Sequence, residues 1–163
     1  MLIRALNAGD RPMIAEMLSL CGSFNDIEIR VALEVFDEGV RSAAPQGYTL
    51  LGADAGGLLQ GYACVGPVPL TESTWDLYWL CIHPGARRRG VGRALMARAE
   101  AHVLRHGGRR IAVQTSGRPD YAPVRDFYAA AGYEVAGRIP DYFQEGDDGV
   151  FYFKVLGRPL PQG

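Results

Sequence analysis

The sequence predicts an α/β (α+β) protein: one domain with a mixed, mostly antiparallel central sheet of about seven strands, flanked by about four helices. Two hydrophobic patterns carry this prediction, namely short strand-like apolar runs and longer runs with apolar residues every three to four positions. Glycine and proline clusters separate the runs, and no repeat or low-complexity linker divides the chain. The 163 residues, 48% of them hydrophobic, can bury a single core. We therefore expect one domain over residues 1–157 and a short C-terminal tail over residues 158–163.

The first half of the chain is predicted to contain a strand, two helices and a hairpin. Asp10 followed by Pro12 is typical of a helix start, and Asn25-Asp26 marks a second helix that should end near Gly39. The turn Asp54–Gly57 should join two strands as a hairpin. The predicted strands are Leu2–Leu6, Tyr48–Ala53 and Leu58–Val65, the predicted loop lies at Pro45–Gly47, and the predicted inner helix faces are Ile14, Met17, Leu18 and Cys21, then Ile27, Val31 and Val35.

The second half is predicted to alternate strands with two further helices. Pro84-Gly85 should end a strand, and Gly107-Gly108 and Gly132 should each end a helix. The predicted strands are Trp75–Ile82, Arg110–Thr115, Tyr133–Ile139 and Val150–Leu156. One predicted helix covers Val91–His106, and its inner residues are Val91, Leu95, Ala99 and Val103. The other begins between Pro119 and Pro123, and its inner residues are Val124, Phe127, Tyr128 and Ala131.

Charge and hydropathy exclude several classes of partner. The formal net charge of −1 gives no reason to expect nucleic acid. No apolar run approaches the roughly 20 residues that cross a bilayer, and Met1–Asn7 lacks the pattern of a signal peptide. We therefore expect a cytoplasmic protein without a membrane partner.

Cysteine usage argues against a metal site. Cys21, Cys64 and Cys81 are odd in number, widely spaced and set among apolar residues. None forms a pair with the spacing of metal ligands. We expect buried free thiols and no metal cofactor.

The most informative segment runs from Ile82 to Leu95, where a strand ends and a helix begins at two glycines. The first amides of a helix lack internal partners and lie at the positive end of its dipole, which favours an anion. Gly90 and Gly92 would leave room for a phosphate, and neighbouring arginines would add charge. The segment lacks the Gly-Lys-Ser/Thr ending of an ATP loop, and Leu95 stands where a dinucleotide fold needs glycine. A solvated basic turn before an ordinary helix is the alternative.

Two motifs resemble those of the GNAT superfamily of N-acetyltransferases. The segment Arg87-Arg88-Arg89-Gly90-Val91-Gly92 is similar to the family's acetyl-CoA signature of glutamine or arginine, two variable residues, glycine, one variable residue, and glycine or alanine. Val124–Tyr133, with Phe127-Tyr128 before Gly132-Tyr133, is similar to the second. The resemblance covers nearly the whole chain in family order. It implies a GNAT-like domain whose fourth and fifth strands splay apart, with the thioester in the gap.

The resemblance also implies roles for individual residues, with acetyl-CoA (coenzyme A) as cosubstrate. The backbone of Arg88–Arg93 would hold the diphosphate, and Leu80–Ile82 would pair with the pantetheine arm. Tyr128 matches a tyrosine that protonates the leaving thiolate, while Tyr121 stands where many members have asparagine. The predicted cofactor-binding residues are Leu80, Cys81, Ile82, Arg87, Arg88, Arg89, Gly90, Val91, Gly92, Arg93, Tyr121 and Phe127.

Transfer to an amine requires a base, because an alkylamine with a pKa near 10.4 is protonated at neutral pH. Asp76 is the first candidate, since residues 76, 78, 80 and 82 should share one strand face. An exposed strand-end aspartate is the equally weighted alternative reading. Glu72, Asp141 and Glu145 are alternative bases, and His83 is assigned a structural role.

The acceptor site is predicted from aromatic and acidic residues. The segment Pro140–Gly149 should be a loop joining the last two strands, and it could seat an ammonium group or be only a solvated acidic hairpin. Tyr78 shares the expected Asp76 face. The predicted substrate-binding residues are Tyr78, Asp141, Tyr142 and Glu145.

These inferences predict transfer of an acetyl group from acetyl-CoA to an amine of a small molecule or peptide, by direct attack on the thioester. A noncatalytic acyl-CoA sensor of the same fold is one alternative. A phosphate-binding regulatory module unrelated to coenzyme A is another. Analogy with the family also suggests a homodimer, but no residue of this sequence indicates one.

Overall fold

The fold is a seven-stranded sheet with helices on both faces, as expected. This computed structural model describes residues 1–42 and 47–157, so Pro45 and the proposed tail 158–163 lie outside the described residues. The strand order is β1-β2-β3-β4-β5-β7-β6, antiparallel except for β4 beside β5. The strands are β1 Leu2–Ala5, β2 Thr49–Ala55, β3 Leu58–Pro67, β4 Thr74–Ile82, β5 Arg110–Ser116, β6 Glu134–Gln144 and β7 Asp147–Val155; the helices are α1 Arg11–Cys21, α2 Asp26–Arg41, α3 Val91–Arg105 and α4 Ala122–Ala130.

The start of α1 differs from the expectation in the role of Asp10. Asp10 occupies the N-cap position, but its side chain makes no capping bond to α1. A 3-10 turn at Ala8–Asp10 precedes the helix, and the Asp10 carboxylate instead accepts from the Asn7 amide at 2.8 Å and from Arg4 at 2.8 and 2.9 Å. Asp10 therefore ties β1 to the turn.

Two of the three residues predicted on the inner face of α2 were wrong, whereas Val35 packs against the core as predicted. Ile27 and Val31 are 66% and 44% exposed, whereas Ala32 and Phe36 are buried. The helix also continues past Gly39, where a side chain would lie 3.0 Å from Leu50. Gly39 thus lets α2 pack closely on the sheet. The start was right: the Asn25 side chain accepts from two amides of the first turn.

The inner faces of α1 and α3 follow the expected spacing, while one residue of α4 does not. Ile14 and Leu18 in α1, and Leu95 and Val103 in α3, are fully buried. In α4, Tyr128 is buried but Val124 is 37% exposed, which corrects the prediction that Val124 lies inside.

A bulge in β4 changes which residues share a face. Leu77 lies opposite Val65 and Trp79 lies opposite Cys64, so Tyr78 is an extra residue on this strand. Beyond the bulge, Leu80 and Ile82 pack with the α3 side of the core, and Trp79 and Cys81 pack with the α1 and α2 side. The prediction that residue 76 shares a face with residues 80 and 82 was therefore wrong, because one inserted residue inverts the alternation.

Strands β4 and β5 separate soon after they begin. Their parallel pairing joins Thr74–Asp76 to Arg110–Ala112, and no further pair is found between them in the described residues. The sheet consequently opens beyond Asp76, as the family resemblance implied. The gap therefore lies between β5 and the C-terminal half of β4.

The last two strands are longer than predicted. β6 extends to Gln144 and β7 begins at Asp147, so only Glu145-Gly146 connects them. Most of the predicted loop Pro140–Gly149 is therefore strand, with a pairing irregularity between Ile139 and Gln144. Proline and glycine in this segment mark the irregularity and the tight turn rather than a loop.

None of the helices within residues 1–42 and 47–157 is long and apolar enough to cross a bilayer.

Candidate active site

The N-terminus of α3 lies just beyond the open end of β4. Gly90 is the N-cap, with a positive φ of 79°, and no side chain caps the helix. No acidic residue lies in the first turn, and a side chain at Gly90 would meet nothing within 4 Å. The first amides of the helix therefore have no hydrogen-bond partner among the described residues, as an anion site requires. Arg88 also has a positive φ, of 62°, which is unusual for a residue with a side chain and marks a constrained loop.

The arginines of this loop divide into two groups. Arg87 turns back to α1, where its guanidinium donates to the Cys21 carbonyl at 3.1 Å. Arg88, Arg89 and Arg93 are exposed and make no ion pair with any described residue. Three exposed cationic side chains thus lie within three residues of the Gly90 N-cap along the chain.

Gly92 has a packing role. A side chain there would lie 3.1 Å from the Phe127 ring and 3.7 Å from Ile82. Gly92 is buried, unlike Gly90. The absence of a side chain at Gly92 therefore lets Phe127 of α4 rest on the first turn of α3, whereas the prediction had both glycines opening space for a phosphate.

Tyr128 follows Phe127 and lies in the core, 5% exposed. The rings of Phe127, Tyr133 and Tyr152 surround it, with centroids 5.5 to 5.9 Å away. Its hydroxyl makes no hydrogen bond within the described parts of the chain, and burial raises its pKa above the ordinary tyrosine value. The phenol is therefore neutral at working pH and can donate a hydrogen bond, although the raised pKa makes full transfer of its proton less favourable.

The edge of β4 that faces the gap carries the amides of Leu80 and Ile82. The His83 amide donates to Gln60 on the β3 side at 2.9 Å, and successive amides of an antiparallel strand point to opposite edges. The Cys81 amide therefore points to β3, where Cys81 lies opposite Tyr62. The amides of Leu80 and Ile82 can therefore pair with a ligand in the gap, whereas the amide of Cys81 cannot.

Asp76 lies where β4 and β5 part. It is half-buried, its carboxylate makes no hydrogen bond or ion pair with the described residues, and burial raises its pKa. Partial burial, and after it the charge of Asp76, raises the pKa of Tyr78. Asp76 thus keeps an unpaired carboxyl close to Tyr78, consistent with a base and less so with a solvated strand-end residue.

A cleft of about 210 Å³ opens beside Tyr78, two residues along β4 from Asp76, which is not itself a lining residue. Tyr78 and Tyr48 meet edge to face in it, with ring centroids 5.1 Å apart. Glu38 of α2 contributes a carboxylate, and Gly66 lies opposite Asp76 in the sheet. Sequence reasoning missed Tyr48 and Glu38, because nothing local connects them to β4. The lining residues are Glu38, Ser42, Gly47, Tyr48, Gly66, Pro67, Pro69 and Tyr78.

The hairpin residues predicted to bind substrate have other contacts. The Asp141 carboxylate accepts from the Gly146 amide at 2.8 Å, which closes the β6–β7 turn. Tyr142 donates to Gln114 on β5 at 3.3 Å, while Glu145 is exposed in the turn. No hydrogen bond or ion pair among the described residues joins this hairpin to Asp76.

Two further candidates hold the backbone. His83 accepts from the Gly85 amide at 3.1 Å and so caps the turn after β4, which agrees with its structural assignment. The Tyr121 hydroxyl donates to the Ser23 carbonyl at 2.7 Å, tying the start of α4 to the α1–α2 loop. The Arg118 guanidinium lies over the Tyr121 ring. Tyr121 therefore braces the edge of the site.

No group of three or more histidine, cysteine, aspartate or glutamate side chains in the described segments could hold a metal ion.

Comparison with solved structures finds the same fold. A GNAT-family acetyltransferase structure from Desulfovibrio desulfuricans is 35% identical, covers 94% of this chain and 98% of its own, and superposes with a TM-score of 0.90. An aminoglycoside 6'-N-acetyltransferase complexed with coenzyme A is 18% identical, with coverages of 98% and 100% and a TM-score of 0.75. The ribosomal-protein-S18-alanine N-acetyltransferase of Escherichia coli is 14% identical, with coverages of 99% and 97% and a TM-score of 0.77.

The family model for the acetyltransferase (GNAT) family matches residues 12–133. This match includes the α3 loop, the open strand pair and α4. The chain therefore belongs to the acetyltransferase (GNAT) family.

Proposed function

We propose that this acetyltransferase transfers the acetyl group of acetyl-CoA to an amine of a small molecule or peptide, which attacks the thioester directly. The observation that carries the proposal is the uncapped N-terminus of α3 at the end of an open edge of β4. The uncapped helix N-terminus suits a diphosphate, and the open strand edge suits an extended arm that contains amides. Coenzyme A has both parts in one molecule.

In this proposal the α3 loop binds the diphosphate. The amides of Val91–Arg93 donate to its oxygens, and Arg88, Arg89 and Arg93 supply positive charge. The Leu80 and Ile82 amides donate to the pantetheine arm, which extends the sheet into the gap. The neighbour solved with coenzyme A supports this choice of cosubstrate.

Asp76 is assigned the base. The attacking nitrogen needs a lone pair, and an ionised carboxylate takes its proton directly or through one water. Burial brings the raised pKa of Asp76 closer to that of the amine. Because no cation among the described residues pairs with it, the carboxylate is available for the amine.

Tyr128 is assigned the acid. The thiolate that leaves coenzyme A has an ordinary pKa near 8.5, and a neutral phenol can donate a hydrogen bond or a proton to it. Phe127 fixes the position of Tyr128 by packing against Gly92 at the start of α3. The contact between Phe127 and Gly92 therefore connects the proposed acid, Tyr128, to the proposed diphosphate site at the start of α3.

The acceptor is placed in the cleft beside Asp76. The Tyr48 and Tyr78 faces and the Glu38 carboxylate suit an amine that arrives as a cation. Tyr142, held to β5 by Gln114, remains a candidate on the far side of the gap, whereas the turn contact of Asp141 competes with substrate binding. Two neighbours are named for an aminoglycoside and for a ribosomal-protein alanine, which supports an amine in a small molecule or peptide.

The test is a panel of amines with acetyl-CoA: aminoglycosides, polyamines, amino acids and peptides with free N-termini. Chromatography should show release of coenzyme A that depends on one class of amine, and mass spectrometry should show that amine acetylated. If acetyl-CoA binds in calorimetry but no amine is acetylated, the protein is a sensor and the proposal fails.

A further inference from the structure

Two cysteine sulfurs meet where α1 approaches β4. Cys21 is the last residue of α1 and half-buried, and Cys81 lies on β4 with 1% exposure. Their Sγ atoms are 2.9 Å apart and both are free thiols. A disulfide has an S–S length near 2.05 Å, so a relative movement of about 0.9 Å would join them. The sequence had indicated three separate buried thiols.

The surroundings make Cys21 the reactive sulfur of the pair. The Arg87 guanidinium lies 3.5 Å from its Sγ and also holds its carbonyl. The hydrogen bond from Cys81, followed by the effects of Arg87, lowers the pKa of Cys21 to about 6 against the opposing effect of burial. The hydrogen bond to Cys21 and burial raise the pKa of Cys81, which therefore stays protonated. A partly exposed thiolate beside a protonated thiol is the arrangement of an oxidation-sensitive site.

We propose that Cys21 and Cys81 are a modification site at which a hydroperoxide forms a disulfide. The Cys21 thiolate attacks one peroxide oxygen, the O–O bond breaks, and the leaving hydroxide takes a proton to become water. Cys21 is then a sulfenic acid. The Cys81 sulfur attacks the Cys21 sulfur, the S–O bond breaks, and hydroxide leaves with the Cys81 proton as a second water. Two thiols lose two electrons in total, and one peroxide gains them.

The bond would act on the cofactor loop, and this part rests on the proposed function. Arg87 begins that loop, and formation of the disulfide removes the Cys21 thiolate that its guanidinium contacts. Cys21 also lies 3.6 Å from the Ile82 carbonyl, at the edge of β4 assigned to the pantetheine arm. The disulfide draws α1 and β4 together at this point, so the oxidised protein should bind coenzyme A several-fold more weakly than the reduced one.

The experiment maps the bond directly, without coenzyme A. Protein treated with hydrogen peroxide is alkylated, then digested with a protease that cleaves after glutamate. Glu28, Glu38 and Glu72 place the three cysteines on separate peptides. A Cys21–Cys81 peptide pair that a reductant separates is the expected product, with Cys64 alkylated after denaturation. Cys21 and Cys81 both remaining thiols, or an equal yield of bonds to Cys64, would overturn the proposal.

Single variants separate the roles of the sulfurs. Cys64→Ser should form the same bond as the natural sequence, because burial raises the pKa of Cys64 to about 12 and the described residues show no hydrogen bond between Cys64 and another sulfur. Cys81→Ser should stop at sulfenic and then sulfinic acid on Cys21, and Cys21→Ser should leave Cys81 reduced. Oxidation of Cys81 in Cys21→Ser at the normal rate would contradict the assignment of Cys21 as attacker. A disulfide that forms without changing the Kd for coenzyme A would contradict the coupling to the loop.

Discussion

At the scale of single residues, Asp76 is half-buried and pairs with no cation in the part of the chain that the structure describes. A half-buried carboxylate without a cationic partner costs stability, and such groups are found more often at functional sites than elsewhere. Its neighbour Glu72 is exposed before β4 begins and was an alternative base. The two acids therefore form a matched pair for mutation.

Asp76→Asn should lower kcat roughly 100- to 10,000-fold and leave the Kd for acetyl-CoA unchanged. Because Asp76 acts only when ionised, the rate of the natural enzyme should fall as the pH drops through its raised pKa. Steady-state kinetics across pH should show that the variant lacks this acidic limb, while Glu72→Gln keeps it. Protonation of the amine, with a pKa near 10.4, should still slow both enzymes as the pH falls, but a separate inflection at the pKa of Asp76 that persists in Asp76→Asn would assign the base elsewhere.

Tyr128→Phe removes one oxygen and keeps the packed ring. We expect kcat to fall roughly 100-fold through loss of the proton donor. The free energy of unfolding should change by less than about 1 kcal/mol, since the hydroxyl makes no hydrogen bond within the described residues. Kinetics and urea denaturation on the same samples measure both. A large loss of stability with normal kcat would make Tyr128 a core residue only.

At the scale of elements, the two edges of β4 have different partners. One edge pairs with β3 throughout, and the other leaves β5 after Asp76. Alternation then assigns the Leu80 and Ile82 amides to the gap and the Cys81 amide to β3. This difference can be measured one amide at a time.

Acetyl-CoA should slow hydrogen exchange at Leu80 and Ile82. These two amides gain an acceptor when the cosubstrate binds, whereas the Cys81 amide already has one in β3. Exchange followed by NMR, with and without acetyl-CoA, should show protection of the first two relative to Cys81. Equal protection of all three would indicate general stiffening and would contradict strand-like pairing.

The contact between α3 and α4 depends on Gly92. Gly92→Ala should destabilise the protein by about 1–3 kcal/mol, because the added carbon lies 3.1 Å from the Phe127 ring. Phe127→Leu in the same chain should recover part of the loss, which a double-mutant cycle in urea would reveal as coupling. Additive effects would mean that Gly92 and Phe127 do not act on each other.

At the scale of the whole molecule, the sheet separates the two regions to which we assign binding. The α3 loop lies at the end of β4, and the acceptor cleft lies on the side of α2. In the proposed mechanism the thioester enters from the first region and the amine from the second. Asp76 lies where β4 and β5 part, between the two.

The sequence predicted the helices and strands well where a local pattern was sufficient. The faces of α1 and α3 have one clear apolar stripe, so their inner residues were right. Helix α2 carries apolar residues on several sides, and periodicity chose Ile27 and Val31 when packing on β2 selects Phe36. The glycine-rich loop was recognisable because its signal is contiguous.

Features that depend on long-range pairing were beyond the sequence. The bulge at Tyr78 is set by its register with β3, so the face of Asp76 was misassigned. The length of the β6–β7 hairpin depends on pairing across it. Cys21 and Cys81 meet only because α1 packs on β4, and nothing near either residue indicates the other.

The central claim is that the N-terminus of α3 binds the diphosphate of coenzyme A, and Gly90→Asn tests it most directly. Asparagine tolerates a positive φ, so the main change is a side chain in the open space at the helix start. Gly56→Asn is the matched control, since Gly56 has a φ of 69° and also nothing within 4 Å. Calorimetry should give Gly56→Asn the Kd of the natural protein for coenzyme A and raise that of Gly90→Asn about tenfold or more, a loss of at least about 1.4 kcal/mol. Equal Kd values for the two variants would contradict the account.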